Sequence, residues 1–309
     1  MIKRYAMNKI FVSTLVFGLL VLFYLVPSPS FEMEVVEEDN KDRKENVVYL
    51  LDEDNYVSRV ISYYDESDIE ELIREKIKIL INGDKSLGKF YSLIPKNTIL
   101  KDVKIEKDSV YLNFNKEILS VNKYLEESMI EAIVFSLTEV NGINNIYINV
   151  ESEKLTKLPN SGREIPYPLT RSFGINKKYD LNSLNDIDKT TIYFVKSSDE
   201  MEYYVPVTKV SNTSSSKIDI IIEELKSTVY AQDNLNSYVS SNIELVDKEI
   251  SDEKVNLIFN DFIFNDISSK VILEEVKYVV SESIFANMNV KEVIFSTKEH
   301  NNIVSVKKS

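Results

Sequence analysis

Apolar and polar residues alternate through Val110-Tyr111-Leu112-Asn113-Phe114-Asn115, the period-two signature of a strand with one buried face. The same phrase returns 145 positions on as Val255-Asn256-Leu257-Ile258-Phe259-Asn260. Its surroundings return with it. Thr98, Leu100, Asp102 and Ile105 keep that offset with Ile243, Leu245, Asp247 and Ile250. Met129, Ala132, Ile133, Ser136 and Leu137 match Val276, Val279, Val280, Ser283 and Ile284 at 147 positions, and Ile143, Ile146 and Ile148 fall on Val290, Val293 and Phe295. Two extra residues between strand and helix account for the change. A repeat this long, carried by positions of buried type, means two copies of one globular unit rather than a short-period solenoid. No reactive side chain is duplicated with it, so what was copied is a shape and a surface.

In the first copy, β-branched and aromatic runs over residues 47–51 and 56–64, around Asp52-Glu53-Asp54-Asn55, predict a hairpin. Ile69, Leu72, Ile73 and Leu80 then share one helical face, with Asp65 or Ser67 as cap and Gly83 as stop. Strands over 99–105 and 109–115 follow, separated by the polar turn Glu106-Lys107-Asp108, then a helix over 125–140 and a strand over 145–150. The second copy repeats the order: a hairpin over 191–195 and 202–210, a helix over 216–229, strands over 243–250 and 255–260, a helix over 269–286 and a strand over 291–297. The pattern predicts an α+β fold of two tandem small domains, each a mostly antiparallel sheet with two helices on one face. Residues 47–151 are the first domain, 152–190 a linker rich in Pro and Gly, 191–299 the second domain and 300–309 a tail.

The N-terminal pattern differs. Ile10 to Val26 is uncharged and mostly apolar, preceded by Lys3, Arg4 and Lys9 and followed by Glu32, Glu34, Glu37, Glu38 and Asp39. The positive-inside rule puts residues 1–9 in the cytoplasm and everything past Pro27 outside. Seventeen residues at about 1.5 Å each suffice for a spanning helix or signal-anchor over 10–26. A signal peptide cleaved after Ser30 is the competing reading, which would release the protein. Residues 27–46 read as an acidic tether.

Composition narrows the partners. A formal net charge of −13 argues against nucleic acid, which requires clustered Lys and Arg. Cysteine is absent, which removes disulfides, thiolate metal sites, thiol nucleophiles and the lipidated cysteine of a lipoprotein.

Particular phrases now coincide with the tandem arrangement. Ser92-Leu93-Ile94-Pro95-Lys96-Asn97-Thr98 leads into Val110-Tyr111-Leu112-Asn113-Phe114, Tyr204-Val205-Pro206-Val207-Thr208 ends the second hairpin, and the linker reads Pro168-Leu169-Thr170-Arg171 followed by Gly174-Ile175-Asn176. In these features, over about residues 47–297, the chain resembles the GerMN domain family in the tandem arrangement of the GerM-like sporulation and germination proteins. The resemblance implies a ring-building-type fold without enzymatic activity, and work between mother-cell and forespore membranes in support of the secretion-like complex joining the two compartments. The chain departs from the family in having Ser240 where the first copy has Pro95, Ser58-Arg59-Val60 in the region of Val205-Pro206-Val207, and no acylated cysteine.

Candidate chemistry is sparse. His300, the one histidine, lies in the polar tail, whereas metal sites and acid-base relays need several converging groups. The pairs Glu70-Glu71, Glu126-Glu127, Glu223-Glu224 and Glu274-Glu275 fall on predicted helices, where adjacent residues diverge by about 100°. Asp52-Glu53-Asp54-Asn55 lacks the glycine and terminal glutamate of a calcium loop and reads as a hairpin turn. Residues 211–216 carry no nucleophile elbow and read as a loop and helix cap. Tyr56, Tyr63, Tyr64, Tyr203 and Tyr204 concentrate on the hairpins, as core or as interface. No catalytic, cofactor-binding or metal residue and no cofactor is expected. The expected function is a non-enzymatic, membrane-anchored scaffold whose partners are other envelope or sporulation-complex proteins, with oligomerisation open. The alternatives are an envelope polysaccharide-binding module and a peptidoglycan-acting enzyme.

Overall fold

In the computed structural model, residues 44–64, 68–198, 201–266, 268–300 and 303–308 are described. The anchor segment 10–26 and most of the tether lie outside them. Among the described residues no helix is long and apolar enough to cross a membrane.

The first copy runs β1 (Lys44–Leu51), β2 (Val57–Tyr64), α1 (Ile69–Asn82), β3 (Leu100–Glu106), β4 (Ser109–Phe114), α2 (Glu126–Leu137), β5 (Asn145–Val150) and the two-residue β6 (Glu153–Lys154). After β7 (Lys178–Asp180), the second runs β8 (Asp188–Ser197), β9 (Glu202–Ser211), α3 (Lys217–Lys226), β10 (Leu245–Ile250), β11 (Lys254–Phe259), α4 (Glu274–Asn287), β12 (Glu292–Thr297) and β13 (Val304–Lys307). The α+β class holds, with four α-helices among the described residues.

One expectation is corrected. Each copy does not form a single sheet with two helices on one face. Its last three long strands make their own sheet, β3-β4-β5 or β10-β11-β12, while its hairpin leaves to join the other copy's hairpin in a third. The pairs β4/β5 and β11/β12 are parallel, because each is connected through a helix rather than a turn. Alternation then sends Val110, Leu112 and Phe114, with Ile146 and Ile148, into the core. Helix α2 is buried on nearly every side and lies against β1, β2 and α1.

Local chemistry sets the ends. Helix α1 is capped by Asp68, whose carboxylate accepts the Glu71 N–H, rather than by Asp65 or Ser67, which lie outside the described residues. Gly83 stops it as expected, with φ 73°. Helix α4 starts five residues later than the pattern suggested, because Val271 folds back to pair with Asp266. Within the tail, where no strand was expected, Val304–Lys307 pairs antiparallel with β12 and closes that edge. The linker is likewise built in, with Leu155, Leu158, Ile165, Leu169, Phe173 and Ile175 all buried.

Candidate functional site

The two hairpins meet through β2 and β9, antiparallel, with Arg59 facing Tyr204. Within the hairpins Tyr49 faces Arg59 and Tyr193 faces Pro206, so the position equivalent to Arg59 is Pro206, two residues on from its partner Tyr204. The antiparallel register then sets the equivalent residues Ser58 and Val205 at the crossing, so a pseudo-twofold axis passes one position from this pair, as in an isologous dimer interface. The outer strands obey it too. The Tyr49 N–H donates to Ser136 Oγ and the Tyr193 N–H to Ser283 Oγ, both at 2.9 Å, so a serine of α2 closes the β1 edge as a serine of α4 closes β8. Tyr49 and Tyr193 are thus equivalent, and their hydroxyls touch at 3.1 Å across 144 positions.

Asp52 and Lys196 stand at that same separation and also meet, Nζ to Oδ2 at 2.8 Å, with side chains 2 % and 4 % exposed. Asp52 further accepts the Asp54 and Tyr56 N–H groups and the Ser58 and Tyr203 hydroxyls. Asn176, from the linker, binds the Val57 N–H and carbonyl and the Pro206 carbonyl at 2.7 to 2.9 Å, stitching β2 to β9. Gly174 makes this approach possible: its φ is 85°, and a Cβ there would lie 3.1 Å from both Lys177 Cε and Thr208 Cγ2.

Two clefts flank the junction. The first, about 410 Å³, lies beside the Tyr49/Tyr193 contact, where the turn after α2 faces α4. Arg171 pairs with Glu139 at 2.5 Å, donates to Thr138 Oγ1 at 2.8 Å and lies over the Phe135 ring, while the Tyr49 hydroxyl donates to Glu139 at 2.8 Å. Burial pushes the Glu139 carboxyl up, but the Arg171 and Arg59 guanidiniums outweigh it and hold it at about 2. Glu282, on the facing wall, is pushed up by burial and by the Glu139 charge. The nearby Lys76 ammonium, which donates to the Val47 carbonyl, is brought down to about 8 by burial.

The second cleft, about 580 Å³ and open to solvent, lies between the first hairpin loop, α2, the linker and Gln232–Asn234. Lys177 binds Glu127 at 2.7 Å and Glu131 at 2.6 Å, and the Tyr56 hydroxyl and Lys178 both bind Asp233. Burial raises the Glu131 carboxyl in spite of Lys177, whereas for Glu127 the Lys177 and Arg163 charges overcome burial and lower it. The carboxylates of this cleft are engaged by cations and hydrogen-bond donors.

A family model for Germane, sporulation and spore germination, matches residues 47–156. The chain is 27% identical over 270 residues to the spore germination protein GerM of Bacillus subtilis (strain 168), spanning 84% of this chain and 73% of that protein. The solved tandem GerMN domains of the sporulation protein GerM from Bacillus subtilis superpose with a TM-score of 0.76 at 25% identity, over 86% of this chain and 97% of that one. The chain thus resembles the tandem GerMN domains of GerM in sequence and in fold.

Within this tandem GerMN fold the residues weighed from sequence scatter. His300 sits in a turn, hydrogen-bonded through its backbone to Thr297. The Glu pairs take separate structural partners: Glu70 binds Arg74, Glu126 accepts the Asn160 and Ser161 N–H groups, Glu224 binds Lys209 and the Tyr230 hydroxyl, and Glu274 binds Lys277. Ser216 caps α3. Of the hairpin tyrosines, Tyr203 is buried against Phe90, Tyr204 stacks on Tyr278 and Tyr63 is exposed. Asp52 does hold the turn, and it is also the acidic half of the junction pair. That second role had a legible signal, opposite charges at equivalent positions of the two copies.

Proposed function

We propose that this GerMN-like chain is a non-catalytic scaffold of sporulation or germination, attached to the membrane through residues 10–26, that holds envelope proteins in register outside the cytoplasm. The observation that carries this reading is the junction. A buried ion pair, a tyrosine pair, an antiparallel strand contact and the Asn176 bridge tie the copies together, so surfaces on both keep one relative orientation. Fixed spacing of docking surfaces is what a scaffold requires. Similarity to GerM of Bacillus subtilis supports the sporulation setting. Glu139, Glu127, Glu131 and Asp233 are held by Arg171, Lys177 and Lys178, which favours structure over proton transfer at these carboxylates. The test is affinity capture with the full chain from sporulating cells, alongside incubation with purified cell wall. Envelope proteins recovered with no wall fragments released is the expected result. Fragments released by the chain would replace the scaffold with an enzyme.

A polysaccharide-binding reading has one observation of its own. On the outer face of β4 and β5, Tyr111 stacks on Tyr147 at 4.4 Å, and Tyr167 packs edge-on against Tyr147 and donates its hydroxyl to Asn149. Aromatic rings beside amides suit sugar rings. The second copy has Asn256 and Ile294 in place of Tyr111 and Tyr147, which would confine this property to the first domain. Titration with soluble wall fragments separates the readings, since saturable binding lost in Tyr147→Ala favours the sugar site.

A further inference from the structure

Within each copy, the first strand of the four-stranded sheet, β3 or β10, lies at an edge, with one hydrogen-bonded neighbour among the described residues. The two edges are finished differently. In the second copy, Lys248 of β10 reaches across to Ser216 Oγ and Asp219 at the start of α3, tying strand to helix. In the first copy, α1 and β3 instead flank an open groove of about 330 Å³. Its apolar floor is Ile77, Ile81 and Leu100. Its charged lining is Arg74, Lys78 and Lys96, without an acidic residue, in a chain whose net charge is −13. Arg74 and Lys78 do pair with Glu70 and Glu75, which lie outside the groove lining, whereas Lys96 is exposed.

Thr98 supplies an independent sign of an occupant. It lines this groove, is 6 % exposed, and its Oγ1 is buried without a hydrogen-bond partner. A buried hydroxyl left unpaired is costly, and such groups generally find a partner. Next to it Ile99 is 61 % exposed, an apolar side chain at the mouth of the groove. An edge strand beside a helix, with an apolar floor between them, is the geometry that takes up an extended peptide by strand addition.

We propose that the first GerMN domain binds an extended acidic segment of a partner protein in this groove, paired to β3. Apolar side chains of the segment cover Ile77, Ile81 and Ile99, its carboxylates meet Lys96 and Arg74, and the Thr98 hydroxyl donates to it. This rests on the scaffold reading and names one of the surfaces through which the scaffold would act. It also gives the copies different tasks, since the second has Ser241 and Ile243 where the first has Lys96 and Thr98.

The test uses the full chain in detergent with a fluorescent synthetic peptide of alternating Glu and Val, and the Lys/Val counterpart as control. The acidic peptide is expected to bind saturably and to slow amide exchange along β3, with the basic peptide silent. Lys96→Glu should weaken binding by about tenfold, a charge reversal at the rim of the site. Thr98→Val should weaken binding while leaving thermal stability equal or higher, because it removes an unpaired hydroxyl rather than a folding contact. Equal binding of both peptides, binding unchanged in both variants, or β3 protection produced by self-association would each overturn the proposal. Envelope proteins captured equally by wild type and Lys96→Glu would reject this groove yet keep the scaffold. No capture by wild type would reject the scaffold itself.

Discussion

Lys196→Met tests the junction at its most buried point. The substitution keeps most of the aliphatic volume and removes the ammonium that binds Asp52 at 2.8 Å and Asp54 at 2.7 Å. Breaking a buried pair by deleting one partner costs about 3 to 5 kcal/mol, because the remaining charge is stranded. Asp52 is not left bare: the Asp54 and Tyr56 N–H groups and the Ser58 and Tyr203 hydroxyls still reach it, which favours the low end, about 3 kcal/mol. For a body of this size that corresponds to a fall in melting temperature of about 6 °C. The double variant Asp52→Asn/Lys196→Met, which neutralises both partners, should recover much of the loss, and the cycle isolates the pair. Differential scanning calorimetry of the four proteins measures it. A single-variant loss below about 1 kcal/mol, the range of a solvent-exposed pair, would refute the reasoning. So would a loss in Lys196→Met that the double variant deepens.

Further outcomes follow from the same contacts. Asn176→Ala deletes the two side-chain hydrogen bonds to Val57 of β2 and the one to Pro206 of β9 and should cost about 2 to 4 kcal/mol, read from urea midpoints. Gly174→Ala places a Cβ against Thr208 and Lys177 at positive φ and should destabilise by about 1 to 3 kcal/mol, whereas Gly142→Ala, with open space around its Cβ position, should cost only the conformational strain. Glu139, held at about 2 in the folded chain, contributes stability that is complete above its unfolded value of 4.5 and lost as pH falls towards 2. The contribution is about 3 kcal/mol, so wild type and Glu139→Gln should differ at pH 7 and converge towards pH 2 in thermal melts.

The strands and helices were legible in sequence because periodicity is local: the elements from Val57 to Val150 stand within a few residues of their predicted bounds. Sheet membership was not. Both hairpins open on continuous apolar runs, Val47 to Leu51 and Ile192 to Val195, which point to burial but not to its partner, and nothing local to Arg59 or Tyr204 says that they face each other across 145 positions. What could have shown it is divergence between the copies. A residue near a twofold axis meets its own equivalent, and two aspartates could not share a buried site, yet here one copy has Asp52 and the other Lys196. Duplication within one chain lets such a position become complementary. The linker was legible in part: Pro159, Gly162, Pro166, Pro168 and Gly174 mark a connection, while Leu169, Phe173 and Ile175 are apolar residues able to pin it to a domain and are buried, but nothing local to Asn176 announces its bridge. The groove beside β3 was equally invisible, since its sign is a hydroxyl without a partner.

Whether the two copies keep one orientation in solution is measured most directly by pulsed electron spin resonance. The chain has no native cysteine, so Glu106→Cys, at the exposed end of β3, and Asp252→Cys, in the exposed β10/β11 turn, give two unique label sites. A junction built as described predicts a single narrow distance distribution between the labels. A broad or two-peaked distribution would mean that the copies move independently, and would contradict the account.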